Sequence, residues 1–133
     1  MARIIVVDDD QMVRMAVRRI LEPKGHQVEE AMDGVEGLEL HRSNPADLLF
    51  VDIFMPNKSG LEVIQELNSS DSTAKIIAMS SIGMQDELDM MSLAKRYGAH
   101  RAFQKPFEIN EVLEAVDEML GTESGGEGKE KTE

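Results

Sequence analysis

The side chains best suited to chemistry stand at or just beyond the ends of short apolar runs. Asp8, Asp9 and Asp10 follow Ile4–Val7, Asp52 follows Leu48–Val51, Ser80 and Ser81 follow Ile76–Met79, and Lys105 sits in "FQKPF" after Arg101–Phe103. Two unit charges ~4 Å apart repel by roughly 4 kcal/mol at an effective dielectric of ~20, so converging carboxylates persist only with hydration, protonation or a cation. Carboxylate oxygens drawn from two strands suit Mg2+, which prefers octahedral oxygen ligands and keeps several waters. A carboxylate beside that cation can attack phosphorus, while an ammonium and a hydroxyl stabilise the transferring oxygens. The expected product is an aspartyl phosphate.

Convergence requires elements that bring distant segments together. The three apolar runs read as strands, with weaker strand candidates at His26–Glu30 and Arg101–Phe103. Between them the apolar period changes to that of a helix. Met12, Val13, Ala16, Val17, Ile20 and Leu21 form one face ended by Pro23 and Gly25. Val35, Leu38 and His41 outline a second helix before Pro45. A third carries Leu61, Ile64 and Leu67, opened by Ser59 with Glu62 at capping-box spacing. Leu88, Met91 and Ala94 mark a fourth closing at Gly98, and Ile109, Val112, Leu113, Val116 and Leu120 a fifth closing at Gly121. Strict βα alternation predicts an α/β fold: a parallel sheet, helices on both faces and right-handed crossovers. In such sheets ligands gather outside the carboxyl ends of the strands, where the polar residues above lie.

The 133 residues suit one domain. We read 1–120 as that domain and 121–133, "GTESGGEGKEKTE", as a flexible acidic tail or truncated linker, because it has no apolar residue to offset its ordering entropy. Twenty-six acidic against 14 basic residues give a net charge of −12, which argues against direct nucleic-acid or anionic-membrane binding and for a basic protein surface or metal cations. The absence of cysteine excludes thiolate chemistry and disulfides. No run approaches the ~20 apolar residues of a spanning helix, and no signal-peptide pattern precedes the first strand, so a cytoplasmic location is expected.

The motifs "VVDDD", "DLLFVDIFMPNKSG", "IIAMSS" and "FQKPF" occur in an order and at spacings that resemble the receiver domain of two-component response regulators, of the single-domain, chemotaxis-receiver kind, over residues 3–120. The resemblance implies a flavodoxin-like (βα)5 doubly wound sheet with strand order 2-1-3-4-5. It implies that Asp52 accepts the phosphoryl group, that Asp9 binds Mg2+ directly, that Asp8 acts through water, and that Phe54 lends its backbone carbonyl. Ser80 would hydrogen-bond the phosphoryl group, Lys105 would pair with its oxygens, and the Lys105–Pro106 peptide would be cis. The donor would be a histidine kinase or histidine phosphotransfer protein, and output would come from altered affinity for a downstream protein target. By this reading the chain is a switch that catalyses only its own phosphorylation and dephosphorylation.

Two departures bear on mechanism. The family commonly has Tyr or Phe three residues before the lysine, where this chain has Ala102, and Phe103 points to the opposite face of the strand. Phe54 is bulky for a position that in the family influences access of hydrolytic water. Two rivals share parts of the pattern: a haloacid-dehalogenase-like phosphatase with Asp8 as nucleophile and Asp10 as acid/base, and a flavodoxin-like flavin module. The first lacks a late acidic cluster, and in the second Asp8–Asp10 would repel the flavin phosphate. Asp10 reads as a helix N-cap rather than a metal ligand. His26, His41 and His100 are scattered and read as ordinary surface or core residues, and the methionines as adaptable core filler.

Overall fold

The computed structural model describes residues 2–55, 58–70, 73–80 and 92–121. Strands β1 (Arg3–Val7), β2 (Gln27–Ala31), β3 (Leu48–Asp52), β4 (Lys75–Ser80) and β5 (Arg101–Gln104) pair in parallel in the order β2-β1-β3-β4-β5. Helices α1 (Gln11–Leu21), α2 (Gly34–Ser43), α3 (Gly60–Ser70), α4 (described at 92–97) and α5 (Ile109–Leu120) connect and cover them. The expected doubly wound α/β architecture is therefore observed. The sequence-derived β2 is displaced by one residue, because His26 lies outside the ladder, where its Nδ1 accepts from Ala2 N at 3.2 Å.

The central strands are buried on both faces, which explains their uninterrupted aliphatic runs. On one face Ile4, Val6, Leu48, Phe50, Ile77, Met79 and Phe103 pack with Val17 and Leu21 of α1 and Val112 and Val116 of α5. On the other, Ile5, Val7, Leu49, Val51, Ile76 and Ala78 pack with Leu38 of α2, Val63, Ile64 and Leu67 of α3, and Ala94 of α4. The chain leaves β1 toward the first face and β3 toward the second. A crevice consequently opens between these neighbouring strands at their carboxyl ends.

Helix ends follow local chemistry. Asp10 caps α1 through Met12 N (2.9 Å), and Asp33 caps α2 through Glu36 N (2.9 Å). Ser59 and Glu62 form the anticipated box at α3, with Leu61 N donating to Ser59 Oγ and Ser59 N to Glu62 Oε1, both at 3.1 Å. Gly98 and Gly121 end α4 and α5 with φ of +128° and +62°, in the region that favours glycine.

Four apolar residues assigned to helix faces point to solvent instead, and one of them, Ala16 of α1, borders the cleft described below. The other three, Met12, Val35 and Ile109, are each within the first two residues of their helices. Arg14 takes a core slot in α1 beside Val17 and Leu21. The fourth-helix residues Leu88 and Met91, the second hydroxyl Ser81, Met84 and Met90, and 122–133 of the tail lie outside the described residues.

Gly60 starts α3 against the end of β3, its N–H donating to Ile53 O at 3.0 Å. A Cβ there would lie 2.0 Å from Asp52 O and 2.6 Å from Ile53 Cα, both backbone atoms with little room to yield. Gly60→Ala should therefore lower unfolding stability in urea by about 1–3 kcal/mol, with amide NMR shifts concentrated at residues 52–54.

Candidate functional site

The crevice between the β1 and β3 exits is a cleft of about 650 Å³ lined by Asp8, Asp9, Asp10, Met12, Val13, Ala16, Asp52, Phe54, Lys105, Pro106 and Phe107. Parallel register sets its depth: Val7 pairs with Ala31 on one side and Val51 on the other, so Asp8 and Asp52 leave adjacent strands at the same level. One carboxylate oxygen from each of Asp8, Asp9 and Asp52 falls within 4.8 Å of the others.

Asp8 is fully buried. Its Oδ1 accepts from Asp10 N at 2.8 Å, and its Oδ2 from Lys105 Nζ at 2.8 Å. Asp52 is 3% exposed, with Oδ1 accepting from Phe54 N at 3.3 Å and Oδ2 lying 3.5 Å from Lys105 Nζ. Asp9 is exposed at the mouth. Lys105 comes from the β5 exit, its N–H donating to Ser80 O at 2.7 Å, and the Lys105–Pro106 peptide is cis. Ser80 ends β4 fully buried, outside the set of residues lining the cleft. The structure thus brings Asp8, Asp9, Asp52, Phe54 and Lys105 to one cavity, while Asp10 faces the same mouth with its carboxylate engaged as the α1 cap.

This density of charge is visible in proton affinities. Burial, then the Asp8 charge, pushes the Asp52 carboxyl up from 3.8 to about 7, against the opposing pull of Lys105 and the Phe54 N–H. Burial alone would lower the Lys105 ammonium, but its hydrogen bond to Asp8 and the Asp52 and Asp8 charges outweigh that and hold it above its ordinary value. Among the described residues, one ammonium, that of Lys105, meets the Asp8 and Asp52 carboxylates, with Asp9 adding a third at the mouth. The donor set is therefore hard, anionic and undercompensated, which is what an oxygen-liganded divalent cation requires.

Two residues that matter here were not singled out from the sequence. Gly60 lets α3 approach the Asp52 carbonyl, and Arg14 donates from Nη1 to Asp8 O at 2.7 Å. The signal for Arg14 was present: it occupies i−3 and i−7 of the buried Val17 and Leu21, a core position for a charged residue. His26, His41 and His100 accept backbone N–H groups from Ala2, Ala46 and Ile76 at 3.2, 3.0 and 3.2 Å.

Residues 4–117 match the family model described as the response regulator receiver domain. The chain is 34% identical over 118 residues to the chemotaxis protein CheY of Halobacterium salinarum, covering 89% of this chain and 96% of that protein. It is 30% identical over 122 residues to sporulation initiation phosphotransferase F of Bacillus subtilis, covering 92% and 96% respectively. Among solved structures, the CheY-like response regulator receiver domain protein of Methanospirillum hungatei JF-1 superposes with a TM-score of 0.84 at 28% identity, covering 96% of this chain and 99% of that one. These similarities displace the phosphatase and flavin-module readings.

A carboxyl that holds its proton more tightly in the folded than in the unfolded chain stabilises the fold at low pH. That contribution is lost as pH rises from the unfolded value, 3.8, through the folded value of about 7. In chelator, the protein should lose stability between about pH 4 and pH 7, the interval set by the unfolded and folded values, and Asp52→Asn should flatten much of that slope. At ~1.4 kcal/mol per tenfold change in proton affinity, the substitution should stabilise the metal-free protein at pH 8 by about 2–4 kcal/mol in chemical denaturation.

Proposed function

Because this chain belongs to the receiver domain family of two-component response regulators, we propose that it is a phosphorylation-dependent switch that accepts a phosphoryl group on Asp52 with Mg2+. The observation carrying this reading is the convergence of Asp8, Asp9 and Asp52 within 4.8 Å beside the Lys105 ammonium. Asp8, Asp9 and Asp52, with the Phe54 backbone carbonyl, would hold the ion. When bound, Mg2+ neutralises this carboxylate cluster and the charge of an incoming phosphoryl group.

Ionised Asp52 attacks phosphorus through a carboxylate oxygen as the bond to the donor's imidazole nitrogen breaks; the bond's electron pair stays on that nitrogen, and the ring, already protonated on its other nitrogen, leaves as neutral imidazole. Lys105, already poised 3.5 Å from Asp52, moves its charge onto the phosphoryl oxygens and so loosens its 2.8 Å contact with Asp8. Ser80, at the end of the strand whose carbonyl holds Lys105 N, contributes its hydroxyl to the phosphoryl group. Because Lys105 N and Ser80 O are joined, adjustment of either reaches both the β4 and β5 exits. That coupling supports a population shift between two states of the exit loops.

The donor is a histidine kinase or histidine phosphotransfer protein, and the output is altered affinity for a downstream protein target, in the cytoplasm and without direct nucleic-acid contact. One relative is named sporulation initiation phosphotransferase F, which supports a phosphoryl-transfer role. Residues 1–120 form the receiver unit in this proposal, with 121–133 as a tail. Among the described residues no helix is long and apolar enough to cross a membrane.

Incubation with Mg2+ and a small acyl phosphate should give a hydroxylamine-labile adduct that peptide mapping assigns to Asp52, absent in Asp52→Asn and in chelator. An adduct on Asp8 instead would sink the proposal. Phe54, on the cleft wall and 41% exposed, should screen the adduct from water. Phe54→Asn is expected to raise the rate of adduct hydrolysis by at least about threefold, of the order a single side-chain contact can supply, as followed by loss of label.

A further inference from the structure

We propose that Arg14 is a positioning residue for the acidic cluster, holding the peptide between Asp8 and Asp9 so that both carboxylates face Asp52; the inference rests on the receiver reading above. Arg14 is 9% exposed and lies in the buried stripe of α1. Its Nη1 donates to Asp8 O at 2.7 Å, and its Nε donates to Glu30 Oε1 at 2.8 Å. Glu30, on β2, is also 3.2 Å from Arg18 Nη1.

The carbonyl that Arg14 grips is the first one beyond the sheet. Ladder pairing on β1 ends at Val7, and the Asp8 N–H still reaches Ala31 O at 3.1 Å, but the Asp8 carbonyl takes its bond from Arg14 instead. That carbonyl belongs to the planar peptide linking Asp8 to Asp9. Fixing the plane fixes the direction in which both side chains leave the backbone, and both supply the cluster.

An arginine in the first turn of a helix works against the helix dipole, and its burial requires partners for every donor direction. Helix stability therefore does not account for it. The planar fork does: it bonds a carbonyl on one side and a carboxylate on the other, joining α1, the β1 exit and β2. Arg14 is absent from the cleft lining, so it acts through the backbone of Asp8 and not on the phosphoryl group.

The test compares Arg14→Met, Arg14→Lys and a control, Val116→Ala, which removes core volume from α5 outside the cleft lining. In chelator, amide hydrogen exchange at Asp8 and Asp10 should accelerate at least tenfold in Arg14→Met relative to α5 amides. Mg2+ affinity by calorimetry should weaken about tenfold, while Val116→Ala stays within twofold of the parent despite a comparable fall in melting temperature. Arg14→Lys, which keeps the charge but loses the fork, should fall between, and decides the matter if Arg14→Met does not fold. Unchanged exchange at Asp8 and Asp10, or equal weakening of Mg2+ binding in Arg14→Met and the α5 control, would overturn the positioning role. Should the unmodified protein bind no Mg2+, the receiver reading fails on its own, and the metal-free exchange comparison still decides the role of Arg14.

Discussion

Negative charge held out of water at the junction of β1 and β3 governs this molecule. Asp8 and Asp52 are almost wholly buried, Asp9 adds a third carboxylate at the mouth, and among the described residues Lys105 supplies the single ammonium in contact with the buried pair. An uncompensated buried charge costs several kcal/mol, and proton affinity registers the excess as a carboxyl at Asp52 lifted to about 7. In the proposed function, the same excess would be relieved by a divalent cation, which would then admit a phosphoryl group.

Such a cluster needs a rigid frame, or the carboxylates would swing apart into solvent. The frame is the two-faced aliphatic core, which locks the three inner strands in register, together with a set of contacts at their exits. Gly60 admits α3 against the Asp52 carbonyl, Asp10 both caps α1 and donates its N–H to Asp8, and Arg14 grips the carbonyl of Asp8. None of these groups is chemically active in the proposed transfer. Each restricts the backbone that carries a group that is.

The β5 side of the site departs from the family pattern. Ala102 packs lightly against the α2–α3–α4 face, whereas Phe103 is buried on the opposite face with its ring 6.1 Å from that of Phe107. A strand alternates its side chains, so the aromatic at 103 stands on the wrong side to replace one at 102. Near Ala102, a surface cavity of about 630 Å³ is bordered by Gln104, Glu108, Glu111 and Glu114. Residue 102 offers no aromatic ring to rotate, and the link between the β4 and β5 exits here is the bond from Lys105 N to Ser80 O.

Alternation of aliphatic runs with amphipathic segments was enough to read the fold class, the number of strands and the strand exits from residue order, because period and punctuation are local properties. Asp52, Lys105 and the Asp8–Asp9 pair were legible for the same reason: each stands at or just past the end of such a run. Residue order did not show that Met12, Val35 and Ile109 leave the core, since the first turn of a helix carries the right period whether or not the sheet extends beneath it. It did not show Arg14 bound to Asp8 or Gly60 pressed on Asp52, contacts that depend on where two elements cross. Local sequence determined which groups are present and in what order. Only the packed tertiary structure decided which of them share a few ångströms of low-dielectric space, because proximity across elements arises from the whole sheet and its register.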